Sequence, residues 1–140
     1  MLITRATRHD KGDLKELLER HGSGDSNVDE GTAFIARDGK VVGCVRLVET
    51  EPQTLVVDDV LVQEDRRREG IGRRLMQTAM NSRGGTLYLC CHENRLRFYE
   101  HFDFKRIDVD DAPSSVVDFW TRVGDYPTPP GHEHFFMKAR

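Results

Sequence analysis

Apolar residues recur along the chain with two different periods, and the periods predict both strands and helices. Alternating or β-branched apolar segments predict strands at residues 2–6, 32–36, 41–48, 55–62, 86–91, 104–109 and 135–138. Apolar residues three or four positions apart predict helices at residues 70–80 and 94–102, and two more between Asp10 and Gly22 and between Ser114 and Gly124. Asp10, Asn94 and Ser114 are candidate N-caps, while Gly22 and Gly124 are candidate stops.

The order of these elements predicts an α/β fold (α+β type) with a mixed, mostly antiparallel sheet flanked by helices. Asp38-Gly39 is a strong hairpin signal between the second and third strands. Strand, helix and strand around Gly70 imply a parallel pair with a right-handed crossover. Residues 22–27 have the composition of a loop. We expect one domain over residues 1–140, with residues 108–132 as an insert of unknown role.

The composition is typical of a compact cytoplasmic enzyme. The chain has 140 residues, of which 37% are hydrophobic and 32% charged, which is enough for one core. Its net charge of −3 argues against nucleic acid or an anionic membrane as partner. No apolar run approaches membrane-spanning length, and residues 1–5 lack the apolar region of a signal peptide. Three cysteines, two of them adjacent, indicate reduced thiols rather than a disulfide framework.

The most informative segment joins the fourth predicted strand to the helix after it. It carries the pattern Arg67-x-x-Gly70-x-Gly72. The first backbone N–H groups of a helix have no intrahelical acceptor, and the helix dipole adds partial positive charge there. Glycines allow the backbone to approach a ligand closely. The pattern therefore predicts an anion site, and one suited to a diphosphate.

Two segments carry a resemblance to a known family. Residues 67–72 resemble the R/Q-x-x-G-x-G/A acetyl-CoA signature of the GNAT N-acetyltransferases, and residues 94–104 resemble that family's N…FYe..GF segment. Both stand in the family's order and at about its usual separation. The order of elements over residues 1–107 is also similar, whereas residues 108–132 match nothing in the family.

The resemblance implies a co-substrate and the residues that hold it. Acetyl-CoA would be bound through its diphosphate by main-chain groups at Arg67, Arg68, Glu69, Gly70, Ile71, Gly72 and Arg73, with Asn94 also at the cofactor. Arg74 is a further candidate phosphate contact. In the family the strand before the loop splays from its neighbour and pairs with the pantetheine arm. That role would fall to the main chain of Leu61 and Val62, where one N–H would hold the thioester carbonyl.

Tyr99 is the candidate general acid. By resemblance its hydroxyl lies near the cofactor sulfur and protonates the departing thiolate. Its helical spacing from Leu96 alone favours the alternative of a core aromatic residue.

Asp58 and Asp59 are the candidate general bases, because an attacking amine must lose a proton. Adjacent strand residues face opposite sides, so we expect only one of the two to face the acceptor. A solvent-facing carboxylate that only solubilises the strand is the alternative for either residue. Glu49, Glu51 and His92 are weaker candidates.

Other patterns favour structural roles. Cys90 and Cys91 would point to opposite faces of a strand and so form no dyad. His132 and His134 lack a third nearby ligand, so we expect no metal. Leu75 occupies the third glycine position of a dinucleotide fingerprint, which excludes that motif.

The acceptor and the assembly stay open. The acceptor is a primary amine of a small molecule or a protein, and a homodimer is an open possibility. A catalytically silent acyl-CoA-binding sensor is the alternative function. We expect the insert to form an acceptor-site wall or a dimer contact anchored by Trp120. Asp103 stands where the family has glycine, in a turn that needs the left-handed conformation.

Overall fold

Seven strands form one mixed sheet in the computed structural model, which describes residues 1–23 and 26–140. They are β1 (Leu2–Arg5), β2 (Thr32–Asp38), β3 (Lys40–Glu51), β4 (Thr54–Val62), β5 (Thr86–Cys91), β6 (Lys105–Ile107) and β7 (Phe135–Ala139). Their order across the sheet is β1-β2-β3-β4-β5-β7-β6. β4 and β5 are parallel, whereas β1–β2, β2–β3, β5–β7 and β6–β7 are antiparallel. The predicted fold class is confirmed.

Four α-helices accompany the sheet in the described part of the chain. They are α1 (Lys11–Arg20), α2 (Ile71–Asn81), α3 (Leu96–Glu100) and α4 (Ser114–Val123). Short 3-10 turns precede them at Arg8–Asp10, Glu64–Arg66, Glu93–Arg95 and Val109–Asp111. The predicted elements are all found, with ends displaced by a few residues. The loop predicted at residues 22–27 falls partly on residues 24 and 25, which lie outside the described residues.

Asp10 precedes α1, but its side chain makes no cap hydrogen bond to that helix. It instead closes a capping box with Thr7 around the preceding 3-10 turn, where Thr7 N donates to Asp10 Oδ2 at 2.8 Å. That backbone hydrogen bond is the main cause that lowers the pKa of the Asp10 carboxyl from its usual value. Asp10 therefore lies at the predicted start of α1, but its side chain bonds to Thr7 rather than to the backbone of the helix.

The other two predicted N-caps are wrong. Ser114 is the first residue of α4, and Pro113 occupies the N-cap position with extended backbone. Asn94 lies inside a 3-10 turn, and Arg95 occupies the N-cap position of α3. The predicted stop at Gly124 is confirmed, since its φ of 87° is left-handed.

Residue contacts divide the chain into two compact units. Unit 1 comprises Met1–Val48 and Val57–Gly84, and unit 2 comprises Glu49–Val56 and Gly85–Arg140. The single domain over residues 1–140 stays a prediction. In unit 1 the apolar stripe of α1 packs on strand residues in one buried cluster, formed by Leu14, Leu17, Leu18, Ile35, Val41 and Cys44. The stripe of α2 is buried as well, through Ile71, Leu75, Met76 and Ala79.

Unit 2 has a core to which the helix of the predicted insert contributes. α4 buries Val116, Phe119 and Trp120. Trp120 is 0% exposed, and its ring lies 4.5 Å from that of Phe136 on β7. The hypothesis that Trp120 anchors a dimer contact or an acceptor-site wall is wrong, because a fully buried side chain is not available to a second molecule. α4 is a core helix of its unit.

Asp103 takes the conformation that the turn after α3 requires. Its φ is 68°, in the left-handed region. Phe104 N donates to Tyr99 O at 3.3 Å, so the turn closes although no glycine is present. The expectation that Asp103 replaces glycine in this turn is confirmed.

The strain at Asp103 gives a stability prediction. The left-handed conformation costs an L-residue about 1–2 kcal/mol, and glycine avoids this cost. Glycine also has more conformational freedom in the unfolded chain, which cancels part of the gain in stability. Asp103→Gly is expected to raise the free energy of unfolding by about 0.5–1 kcal/mol in urea titrations. Asp103→Ala is the matched control and is expected to lower it. A glycine variant no more stable than the alanine variant contradicts this account of the turn.

Candidate functional site

The segment from Gln63 to Gly70, here called the glycine loop, leads from β4 into α2 within unit 1. Gln63 N donates to Val42 O at 2.7 Å, which fixes the start of the loop to β3. Two residues then have left-handed backbone, Arg68 with φ 69° and Gly70 with φ 80°. These two left-handed residues bend the backbone between the end of β4 and the start of α2.

The N-terminus of α2 has no side-chain cap hydrogen bond. Arg74 N donates to Gly70 O at 3.1 Å, which is the first hydrogen bond of the helix. The N–H groups of Ile71, Gly72 and Arg73 precede it and have no intrahelical acceptor. Glycine at the N-cap position brings no polar side chain that would occupy them. This arrangement is suited to an anion.

The arginines of the loop divide into two groups. Arg66 is held within the protein, because its Nε lies 2.9 Å from Glu69 Oε2 and its Nη1 lies 3.0 Å from Asp38 Oδ2. Arg67 Nε donates to Val62 O at 3.1 Å, and its side chain is exposed. Three further guanidinium groups, of Arg68, Arg73 and Arg74, are on exposed residues. Arg66 and Glu69 thus brace the loop, and the exposed arginines add positive charge around the helix start.

Gly43 on β3 brings α2 close to the sheet, a role that sequence reasoning missed. A Cβ built on Gly43 would lie 3.1 Å from Leu75 Cδ1, 3.2 Å from Ile71 Cγ2 and 3.2 Å from Leu61 O. A side chain here would push α2 away from β3. The signal in the sequence was a lone glycine inside a strand, which often marks close backbone approach.

Asp58 and Asp59 lie together on Arg46 rather than on opposite sides of β4. Arg46 Nη2 is 2.9 Å from Asp58 Oδ2 and 2.9 Å from Asp59 Oδ2. The expectation of opposite faces is wrong because Asp59 has a φ of 52°, which breaks the alternation of the strand. Ser26 Oγ also donates to Asp59 Oδ1 at 2.9 Å.

Arg46 is the centre of this network and was not identified from the sequence. It is only 4% exposed. Its Nη1 donates to the backbone oxygens of Asn27 and Glu30, so it ties the segment before β2 to both aspartates. A buried arginine is stable only with partners of this kind. The network gives the two carboxylates a structural role in unit 1.

Two of the three cysteines are unsuited to carry an acyl group. Burial raises the pKa of the Cys44 thiol well above its usual range, and Cys44 Sγ donates to Asp59 O at 3.1 Å. Burial also raises the pKa of Cys91 to about 11. Thiolate is the reactive form, so both are inert near neutral pH. The prediction that Cys90 and Cys91 form no dyad agrees with their adjacent positions on β5.

Tyr99 is a buried residue of unit 2 at 6% exposure. Its ring lies 5.1 Å from that of Phe98 and 6.0 Å from that of Phe104. Asn94 is exposed in the 3-10 turn before α3. The burial of Tyr99 is compatible with both predicted roles, a core aromatic residue and a general acid whose hydroxyl is held in place by its neighbours. Its role stays a prediction, as does that of Asn94.

No helix among the described residues is long and apolar enough to cross a membrane.

Comparison with known proteins gives a family and a fold. A family model described as an acetyltransferase (GNAT) domain matches residues 29–106. No curated protein matches the chain. An aminoglycoside 6'-N-acetyltransferase complexed with coenzyme A is similar in structure, with a TM-score of 0.73 and 19% identity over 99% of this chain and 96% of that one.

Two further solved structures are similar. A protein of Mycobacterium tuberculosis in complex with CoA has a TM-score of 0.70 and 21% identity, over 99% of this chain and 98% of that one. A GNAT-family acetyltransferase of Staphylococcus aureus has a TM-score of 0.68 and 18% identity, over 98% and 96% of the two chains. At such identities these likenesses concern the fold.

Proposed function

The chain belongs to the GNAT acetyltransferase family, and we propose that it transfers the acetyl group of acetyl-CoA to a primary amine of a small molecule or a protein. The observation that carries this proposal is the N-terminus of α2. It has no side-chain cap, follows the left-handed Gly70 and is surrounded by exposed arginines. A diphosphate is the anion that backbone N–H groups and guanidinium groups bind well together.

In the proposed complex the main chain from Arg67 to Arg73 holds the diphosphate of acetyl-CoA. The main chain of Leu61 and Val62 pairs with the pantetheine arm. In support, the parallel register of β4 with β5 covers Thr54 to Val56, whereas β4 continues to Val62. One N–H of this strand would stabilise the oxyanion that forms when the amine attacks the thioester carbonyl.

The proposed reaction is a direct transfer. The amine nitrogen forms a bond to the thioester carbon, and the carbon–sulfur bond breaks. The amine proton leaves to a carboxylate, directly or through water, and the hydroxyl of Tyr99 protonates the thiolate of CoA. The products are an amide and CoA with a free thiol.

Asp58 is the better of the two candidate bases. The side chain of Asp58 is more exposed, at 23% against 12% for Asp59. Water reaches a carboxylate more readily at greater exposure, so Asp58 acting through water is the proposed route for the amine proton.

A catalytically silent acyl-CoA-binding sensor is the second candidate function. One observation favours it, because the Arg46 ion pairs give Asp58 and Asp59 a structural role that needs no catalysis. The two candidates share the cofactor site and differ only in turnover.

Two measurements separate the candidates. Acetyl-CoA is expected to raise the melting temperature in either case, since a ligand of the native state stabilises it. Release of free thiol is then followed across a panel of polyamines, amino acids, aminoglycosides and lysine peptides. An acetyltransferase releases thiol with at least one amine above the rate without amine. Binding without amine-dependent release supports the sensor, and no binding overturns both proposals.

A cytoplasmic location is part of the same proposal. It rests on the sequence, in which three cysteines, two of them adjacent, are typical of reduced thiols.

A further inference from the structure

Strands β5 and β7 place a group of metal-ligating side chains on one face of unit 2. Cys90, Asp125 and His134 each offer a ligand atom, and these atoms lie within 4.8 Å of one another. Cys90 lies on β5, Asp125 follows α4, and His134 directly precedes β7. None of these residues belongs to the proposed acetyl-transfer machinery.

The ladder between β5 and β7 explains why Cys90 and His134 meet. Cys91 pairs with Phe135 in the antiparallel register. The residue after Cys91, His92, therefore lies opposite the residue before Phe135, His134. His92 has extended backbone, with φ −83° and ψ 161°, so the alternation of β5 continues through it. Cys90 and His92 therefore share one face, and Cys91 lies on the other.

α4 fixes the third ligand on that same face. Trp120 packs on Phe136, which is the register partner of Cys90. Asp125 N donates to Trp120 O at 2.8 Å as the chain leaves the helix. The core contact that buries Trp120 thus sets the position of Asp125.

His134 keeps one ring nitrogen for a metal ion. Its Nδ1 lies 3.0 Å from the backbone oxygen of Asp125. A carbonyl oxygen only accepts, so Nδ1 carries the proton and the lone pair is on Nε2. Metal-bound histidines are held by this kind of contact from their second ring nitrogen.

His92 lies beside this group but is not one of the three residues whose ligand atoms lie within 4.8 Å of one another. The rings of His92 and His134 have centroids 5.0 Å apart at an interplanar angle of 78°. This edge-to-face contact packs the His92 ring against His134 and leaves the metal ligands to Cys90, Asp125 and His134.

We propose that Cys90, Asp125 and His134 form a binding site for a divalent transition metal, with Zn²⁺ as the preferred ion and a water molecule as the fourth ligand. Thiolate, imidazole and carboxylate together suit zinc, whereas magnesium and calcium favour oxygen ligands. The ligand atoms need to approach by about 1 Å to reach tetrahedral spacing. The bound ion joins β5, the segment after α4 and the start of β7, and so stabilises unit 2 independently of acetyl-CoA. The sequence argued against a metal because His132 and His134 have no third ligand nearby, and the fold supplies ligands from distant positions.

Cobalt is the probe for this site. The full-length protein is stripped with a chelator and titrated with Co²⁺. We expect one equivalent to bind, with the visible bands of a tetrahedral ion and a near-ultraviolet sulfur-to-cobalt charge-transfer band. Zn²⁺ is expected to displace the cobalt. At a hundredfold excess over Kd it should raise the melting temperature by about 5–10 °C.

Matched variants identify the ligands. Cys90→Ser is expected to lose the charge-transfer band, and His134→Gln is expected to weaken Co²⁺ binding by about 10- to 100-fold. Cys91→Ala is the control and is expected to keep the band, since it removes the adjacent thiol from the other face. Absence of the band in the unmutated protein, or its survival in Cys90→Ser, overturns the proposal and leaves a hydrogen-bonded polar cluster. Neither result bears on acetyl-CoA binding, which is measured separately.

Discussion

Replacing Tyr99 with phenylalanine is expected to lower kcat for acetyl transfer by about 10²–10⁴-fold, the usual contribution of a positioned general acid. The change removes one hydroxyl and keeps the ring, so the contacts with Phe98 and Phe104 remain. KM for acetyl-CoA should change little, because the proton is transferred only in the transition state. Steady-state thiol release with the best amine of the panel measures both constants.

Tyr88→Phe is the matched control for this change. Tyr88 is also a buried tyrosine of unit 2, at 5% exposure, and the family resemblance gives it no catalytic role. Its variant should retain kcat within a fewfold, and unfolding in urea should show both variants folded. If Tyr99→Phe keeps the activity of the unmutated protein, Tyr99 is a core aromatic residue and another group protonates the thiolate.

Replacing Gly72 with glutamate is expected to weaken acetyl-CoA binding by at least about 100-fold. The new carboxylate would stand in the first turn of α2, close to the proposed position of the diphosphate. Two like charges about 4 Å apart repel by about 4 kcal/mol at the effective dielectric of a protein surface. An acidic residue in the first turn of a helix is itself favourable, so the helix should remain folded. Loss of binding without loss of structure is therefore the expected result.

Gln77→Glu is the control for this prediction. It makes the same change of charge on an exposed residue of the same helix, away from its N-terminus. Isothermal titration calorimetry with acetyl-CoA should give nearly unchanged affinity for Gln77→Glu. Equal weakening by both variants would mean that the overall charge of the helix, rather than its first turn, determines affinity.

The regular elements of the fold were predictable because their signals are local. The alternation in β3 and the turn at Asp38-Gly39 specify the hairpin of β2 and β3 without reference to the rest of the chain. The stripe of Ile71, Leu75 and Ala79 likewise specifies the buried face of α2. The glycine loop was predictable since a strand, glycines and a helix occur in immediate succession.

The errors concern single backbone angles and choices between neighbouring caps. Asp59 has a φ of 52° and contacts Arg46 and Ser26, and nothing in the local sequence predicts either feature. Pro113 rather than Ser114 takes the N-cap position, as proline is compatible with the extended backbone needed there. The burial of Trp120 was missed because an apolar helical stripe looks the same whether it faces a core or a partner.

Some residues of the candidate site could not be identified from the sequence because their roles depend on contacts with residues far away in the chain. Arg46 meets two aspartates across two strands, and Gly43 matters only because α2 lies over it. His134 and Cys90 are brought together by the register of β5 with β7. Such sites depend on the topology of the sheet, which cannot be read from the pattern of residues that are neighbours in the sequence.

The proposed acetyl transfer depends first on the backbone N–H groups between residues 67 and 73, which we propose bind the diphosphate of coenzyme A. Amide chemical shifts from nuclear magnetic resonance of the 16.1 kDa protein test it directly, with CoA compared against pantetheine, which lacks the phosphates. We expect CoA to produce its largest amide shifts at Arg68 to Arg73, and pantetheine to leave those amides nearly unchanged. Largest shifts outside this turn, or equal shifts there from both compounds, would contradict the account.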